Sequence, residues 1–149
     1  MSAYIKFEEL LPLFCLSGKV DVIEGPPPKG LSSSVIRTDQ PWRVDFDWTT
    51  SGPLNYIMHG TWELSIYLEL MGGKEFDFDP GKGKSSVSFV AKPNNYKSSI
   101  LVPPNEVPAG IYRVVASVTM KGIGGVPGPI AGFAEAGLVQ FYEGGPIGA

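Results

Sequence analysis

The sequence predicts an all-β protein, a two-sheet antiparallel sandwich of seven or eight short strands, on three observations. Apolar residues recur at every second position in several segments, which is the period of a pleated strand. The chain carries 19 glycines and 14 prolines, and they fall between the patterned segments rather than in a low-complexity tract, so they mark turns. No long helical pattern separates the strands, which argues against a parallel α/β arrangement.

At 149 residues the chain suits one domain that buries about two thirds of its unfolded surface. The expected organisation is an N-terminal arm with a proline-rich connector over residues 1–30, followed by the sandwich over residues 31–149. In the arm, Tyr4, Phe7, Leu10, Leu11 and Phe14 have helix-like spacing, but Pro12 interrupts them, so a packed arm is expected rather than a free helix. Lys19 to Glu24 alternates weakly and reads as an edge strand. Pro26, Pro27 and Pro28 favour an extended polyproline conformation and make a stiff connector.

The cleanest alternation follows. Trp42, Val44, Phe46 and Trp48 share one face while Arg43, Asp45, Asp47 and Thr49 share the other, so one side faces a core and the other water. Gly60 then opens a strand with Trp62, Leu64, Ile66, Leu68 and Leu70 inward and Glu63, Ser65, Tyr67 and Glu69 outward. Short strands are expected around Phe76 and Phe78, and around Val87 and Phe89. Another is expected over residues 96–102. Residues 108–121 form the central strand: Tyr112, Val114, Ala116, Val118 and Met120 lie on its dry face, and Ile111, Arg113, Val115, Ser117 and Thr119 on a mixed one. A last strand is expected from about Phe133 to Glu143.

Two of these features sharpen the picture. Trp62 near a strand start, and Tyr112 just after a proline-rich corner, resemble the buried tryptophan and the tyrosine corner of immunoglobulin-like and fibronectin-type-III-like domains. The resemblance covers roughly residues 35–143 and is one of architecture. It implies that Tyr112 sends its hydroxyl back to a backbone group near Pro108. The cysteine pair of antibody domains is absent.

Composition narrows the function classes. The net charge of −3 comes with scattered signs, whereas nucleic-acid binding needs a concentrated basic face. A single cysteine, Cys15, forms no internal disulfide and no multi-cysteine metal site, which suits the cytoplasm. The opening residues make a poor signal peptide and are too short to span a bilayer.

Motifs for catalysis are weak. Lys82-Gly83-Lys84-Ser85 lacks the upstream glycine of a phosphate loop, since Phe78 stands there, and reads as a lysine-rich hairpin turn. Gly122-Ile123-Gly124 meets Pro127 where a dinucleotide fingerprint needs its third glycine. Asp45 and Asp47 with Asp77 and Asp79 are hard-cation donors only if two strands bring the pairs together, and a solvated polar face is the plainer reading. Cys15 sits in an apolar run and reads as a small buried hydrophobe, so no nucleophile pairing with His59 is expected. Neither metal nor cofactor is expected, and the protein is not expected to be an enzyme.

The unusual stretch is residues 121–137, read as a loop that is too apolar for solvent. Ile123, Val126, Pro129, Ile130 and Phe133 are its candidate contact residues. Such a loop folds back on its own core, packs on another copy or a protein partner, or dips into lipid headgroups. The last is disfavoured because Lys121 alone supplies a basic rim. The expected function is therefore a non-catalytic protein–protein interaction or self-assembly module that uses this loop and the N-terminal arm. The alternative is a small-molecule or carbohydrate-binding sandwich with Trp42, Tyr56, His59 and Tyr67 as ligand-binding residues.

Overall fold

The computed structural model describes residues 2–8, 12–25, 31–73, 75–78, 81–122, 124 and 126–144. Two sheets pack face to face. One has the strand order β1 (Ser2–Tyr4), β3 (Cys15–Glu24), β6 (Trp42–Ser51), β9 (Asn95–Val102), with β4 (Leu31–Ser32) also on β3. The other runs β2 (Lys6–Glu8), β11 (Pro127–Tyr142), β10 (Gly110–Lys121), β7 (Thr61–Leu70), β8 (Lys84–Ser88), with β5 (Val35–Arg37) also on β11. All pairings are antiparallel except β5 with β11. The all-β sandwich stands, and its strands outnumber the expected seven or eight because β1, β2, β4 and β5 are two- and three-residue additions at the edges.

Parity sets the core. Trp42, Val44, Phe46 and Trp48 of β6, Trp62, Leu64, Ile66 and Leu68 of β7, and all five even-numbered residues expected of β10 are buried together. The Trp48 and Trp62 rings meet edge-on between the sheets with centroids 5.8 Å apart, and Tyr96 stacks on Trp48 at 5.3 Å. Each such aromatic pair adds about 0.5–1.5 kcal/mol beyond its buried area. At the other end of the core, Phe141 lies edge-on to both Trp42 and Tyr112. The Tyr112 hydroxyl donates to the Pro108 carbonyl at 2.9 Å, which is the corner the resemblance implied.

Three expectations need correction. The sandwich begins at Cys15 rather than at residue 31, because β3 is a ten-residue strand flanked by β1 and β6 and not a weak edge. The sequence hid it behind Gly18, whose missing side chain leaves room for Trp48: a Cβ there would lie 2.7 Å from that of Trp48. The arm itself is a packed, extended segment whose residues 6–8 join the opposite sheet from residues 2–4; Leu10, Leu11 and Pro26–Pro28 lie outside the described residues. Cys15 is exposed, opposite Ser51 at the start of β3.

The third correction concerns residues 121–137. Most of this stretch is not a loop, since β11 runs from Pro127 and only residues 122–126 connect it to β10. Ile130, Ala134 and Ala136 point into the core on even positions, and Val139 and Phe141 on odd ones. The switch is a β-bulge: Val114 faces Gly137 and Val115 faces Glu135, so Ala136 is the extra residue, beside Gly137 at φ 93°.

Two outcomes follow from this packing. Burial holds the Tyr112 hydroxyl above its ordinary pKa of 10.0. The unfolded chain therefore ionises first, so the contribution of this group to stability is complete below that pH and falls as pH rises above it. Tyr112→Phe should cost about 1 kcal/mol at neutral pH through the lost hydrogen bond. It should also lose stability less steeply above about pH 10, which urea titrations at several pH values measure. Native protein should react with one equivalent of an aromatic disulfide reagent at the rate of an open thiol; a reaction that waits for unfolding would contradict the exposure of Cys15.

Candidate functional site

Apolar side chains collect in the open on the outer face of the six-stranded sheet. On the odd positions of β10 and its neighbours, Tyr67 faces Val115, which faces Glu135, and one step along Ser65 and Phe133 flank Ser117. Phe133 is 51% exposed and Tyr67 53%. The arm borders this ground: Ala3, Tyr4, Lys6 and Phe7 line an open groove of about 720 Å³ with Val115, Phe133, Ala134 and Glu135. Tyr4 is 84% exposed at its rim. Arg113 crosses the middle of the face, 3.5 Å from Glu69 on β7 and 3.1 Å from Glu135 on β11. Leu138 is the register partner of that arginine on β11, and beyond it lie Ile111 and Tyr142, all three exposed.

The residues singled out from the sequence do not form one surface. Val126 is exposed at the β10–β11 hairpin, held by a 2.7 Å bond from the Gly122 amide to its carbonyl. Phe133 lies seven residues further along β11, roughly 23 Å at the rise of a strand. Between them Ile130 points inward at 1% exposure and serves the core, not a contact. Ile123 and the Pro129 side chain lie outside the described residues.

The ligand-binding set is scattered as well. Trp42 is 2% exposed against Phe141 and offers no ring face to a sugar. Tyr56, in a 3-10 turn over Pro53–Ile57, and His59 are exposed at the approach to β7. Tyr67 is eight residues beyond His59, on the sheet face. No side-chain hydrogen bond between described residues engages His59 or Cys15.

The aspartates divide between surfaces. Asp45 and Asp47 lie on the outer face of the other sheet, in a shallow groove of about 300 Å³ shared with Lys19, Asp21, Lys97 and Ser99. Each carboxylate is occupied there: Asp45 accepts from Arg43 Nε at 3.0 Å and Ser99 Oγ at 2.6 Å, Asp21 from Ser32 Oγ at 2.9 Å, and Asp47 from Asn95 Nδ2 at 2.8 Å. Asp77 sits apart, beside Phe76 and Phe78, and Asp79 lies outside the described residues. No group of three His, Cys, Asp or Glu with metal-holding geometry occurs among the described residues. The lysine-rich turn leads into strand β8 rather than a helix, and Lys82 pairs with Glu106. No described helix is long and apolar enough to cross a membrane.

Sequence reasoning missed Tyr4, Leu138 and Tyr142. Tyr4 was masked by the helix-like spacing of the arm, and the other two by the bulge at Ala136, which reverses parity and turns Leu138 outward. Ile111 and Val115 were visible as the apolar members of a mixed face.

No family model matches this chain, and no curated protein matches it. Among solved structures it is similar to a CARDB domain of a Pyrococcus furiosus protein, solved in complex with di-metal ions, at 14% identity with a TM-score of 0.45, over 89% of this chain and 96% of that one.

Proposed function

We propose that this chain is a non-catalytic interaction module that associates with itself through the outer face of the six-stranded sheet, with the N-terminal arm at the border of the contact. The observation that carries this reading is the open apolar ground made by Tyr67, Val115, Phe133 and Tyr4. Apolar area left in water costs about 25 cal/mol per Å², and a second copy removes that cost. The three long strands β7, β10 and β11, spaced 4.8 Å apart, present roughly 500 Å² over ten residues each, which with the bordering arm suits a contact smaller than the standard ~800 Å² a side. Arg113, set between Glu69 and Glu135, supplies charge of both signs for register rather than strength, since exposed pairs contribute little. We place the protein in the cytoplasm because its one cysteine is unpaired and open, which suits a reducing compartment.

Sedimentation at two or more concentrations tests this. Mass should rise with concentration, and Phe133→Asp should weaken association at least about tenfold while moving the urea midpoint of the dilute, unassociated chain little, because half of the side chain is already in water. A particle that keeps the mass of one chain at the highest attainable concentration removes the reading.

A further inference from the structure

We propose that the N-terminal arm, residues 2–8, is an exchangeable strand that seats in the cleft of a second copy of this chain, each copy completing its neighbour's sandwich. The proposal rests on the self-association reading above and names what passes between the copies.

The cleft is built for this arm. Ser2–Tyr4 pair along β3, the Ile5 amide donates to the Gly18 carbonyl at 2.9 Å, and residues 6–8 pair along β11 at residues 131–133. Between the two ladders Ile5 drops into the core at 7% exposure. Gly132 is the notch that admits it: a Cβ at that position would stand 2.5 Å from the Phe7 ring and 2.8 Å from Ile5. Every one of these contacts joins the arm to β3 or β11. None depends on which chain supplies the arm.

The arm is also separable. The body of the sandwich is laced by long ladders, ten register pairs between β3 and β6 and ten between β10 and β7, whereas the arm holds by three pairs on each sheet. The chain returns from the arm to β3 through Leu13, whose φ of 61° is left-handed backbone that a leucine adopts only at a cost. A short connection under strain favours exchange of the element it holds back. Once an arm leaves, the edges of β3 and β11 and the hole for Ile5 are open. The sequence that fills them is carried by every copy, which is why a second copy is the partner. The groove at the arm's border, shared by Tyr4 and Lys6 with Phe133 and Glu135, puts a copy docked on the sheet face next to the arm it receives.

The test uses the full chain with Cys15→Ser. Tyr4 and Lys19 are register partners on adjacent strands and both are exposed. Tyr4→Cys and Lys19→Cys are made in separate chains, mixed at a concentration where association is measured, and oxidised. The double variant serves as the internal control. Exchange predicts a covalent dimer in the mixture whose linked peptides join positions 4 and 19. A mixture that associates by mass but gives no such link, while the double variant closes within one chain, overturns the exchange and leaves the association reading standing. A chain carrying Cys15→Ser alone that keeps single-chain mass at the highest attainable concentration removes both. A double variant that does not close overturns the seat of the arm itself.

Discussion

The edge-on contact of Trp48 with Trp62 decides which side of nearly every strand is dry. Side chains alternate with a period of two, so fixing one inward residue fixes the rest of its strand until a bulge intervenes. Trp48 sets β6, and the register passes that choice to β3 through Gly18 and to β9 through Tyr96. Trp62 sets β7, and its pairing with Met120 passes the choice to β10. A one-residue slip of β6 would carry Trp48 to solvent and bring Asp47 inward, and a slip of β7 would do the same with Trp62 and Glu63. The cost of burying unpaired carboxylates makes the observed register the one that survives.

Tyr112 is the second anchor, and it acts on the crossing between sheets. The chain leaves β9 in one sheet and enters β10 in the other by way of Pro103 and Pro108. Its ring fills the core against Phe141 and Phe76, and its hydroxyl reaches back to Pro108. One side chain thus ties the corner to the core. It also places Gly110 opposite Phe141, the first step of the β10–β11 hairpin. Because that hairpin carries Phe133 and Val115 to the outer face, the geometry of the candidate site descends from this corner.

The strands β6, β7, β9 and β10 were legible because their dry faces carry large side chains at unbroken spacing, and a single parity sufficed to read them. Strand β11 was not, for two physical reasons. Its inward residues are Ile130, Ala134 and Ala136 before the bulge, mostly small, and the glycines and prolines among them look like breakers. Gly132 is a receptor for the arm and Gly128 allows a close approach to the Met120 carbonyl, where a Cβ would come within 2.7 Å. Then the bulge at Ala136 changes parity, so no single period describes the strand. The candidate site inherited that error. Phe133 and Ile130 belong to the same apolar stretch that looks like a loop in the sequence, and the strand puts the first on the outer face and the second in the core, while Trp42 is buried by the same alternation that makes β6 easy to recognise.

A sandwich of open sheets must also deal with its edges, since unpaired amides and carbonyls recruit other strands. On one side β8 is short and begins at a lysine, Lys84, so charge protects it. On the other, β11 is long and is covered piecewise, by β2 at residues 131–133 and by β5 in parallel at residues 140–142, with the bulge between. Both covers come from segments that precede β6, so the last strand of the sandwich depends on the first part of the chain. The N-terminal residues are therefore structural even though their ladders are short. Such a cover, held by three register pairs on each sheet, is the one that the proposed exchange would draw from a neighbour's arm. The surface beside it, where Tyr4 and Phe133 stand open, is where that neighbour would have to be.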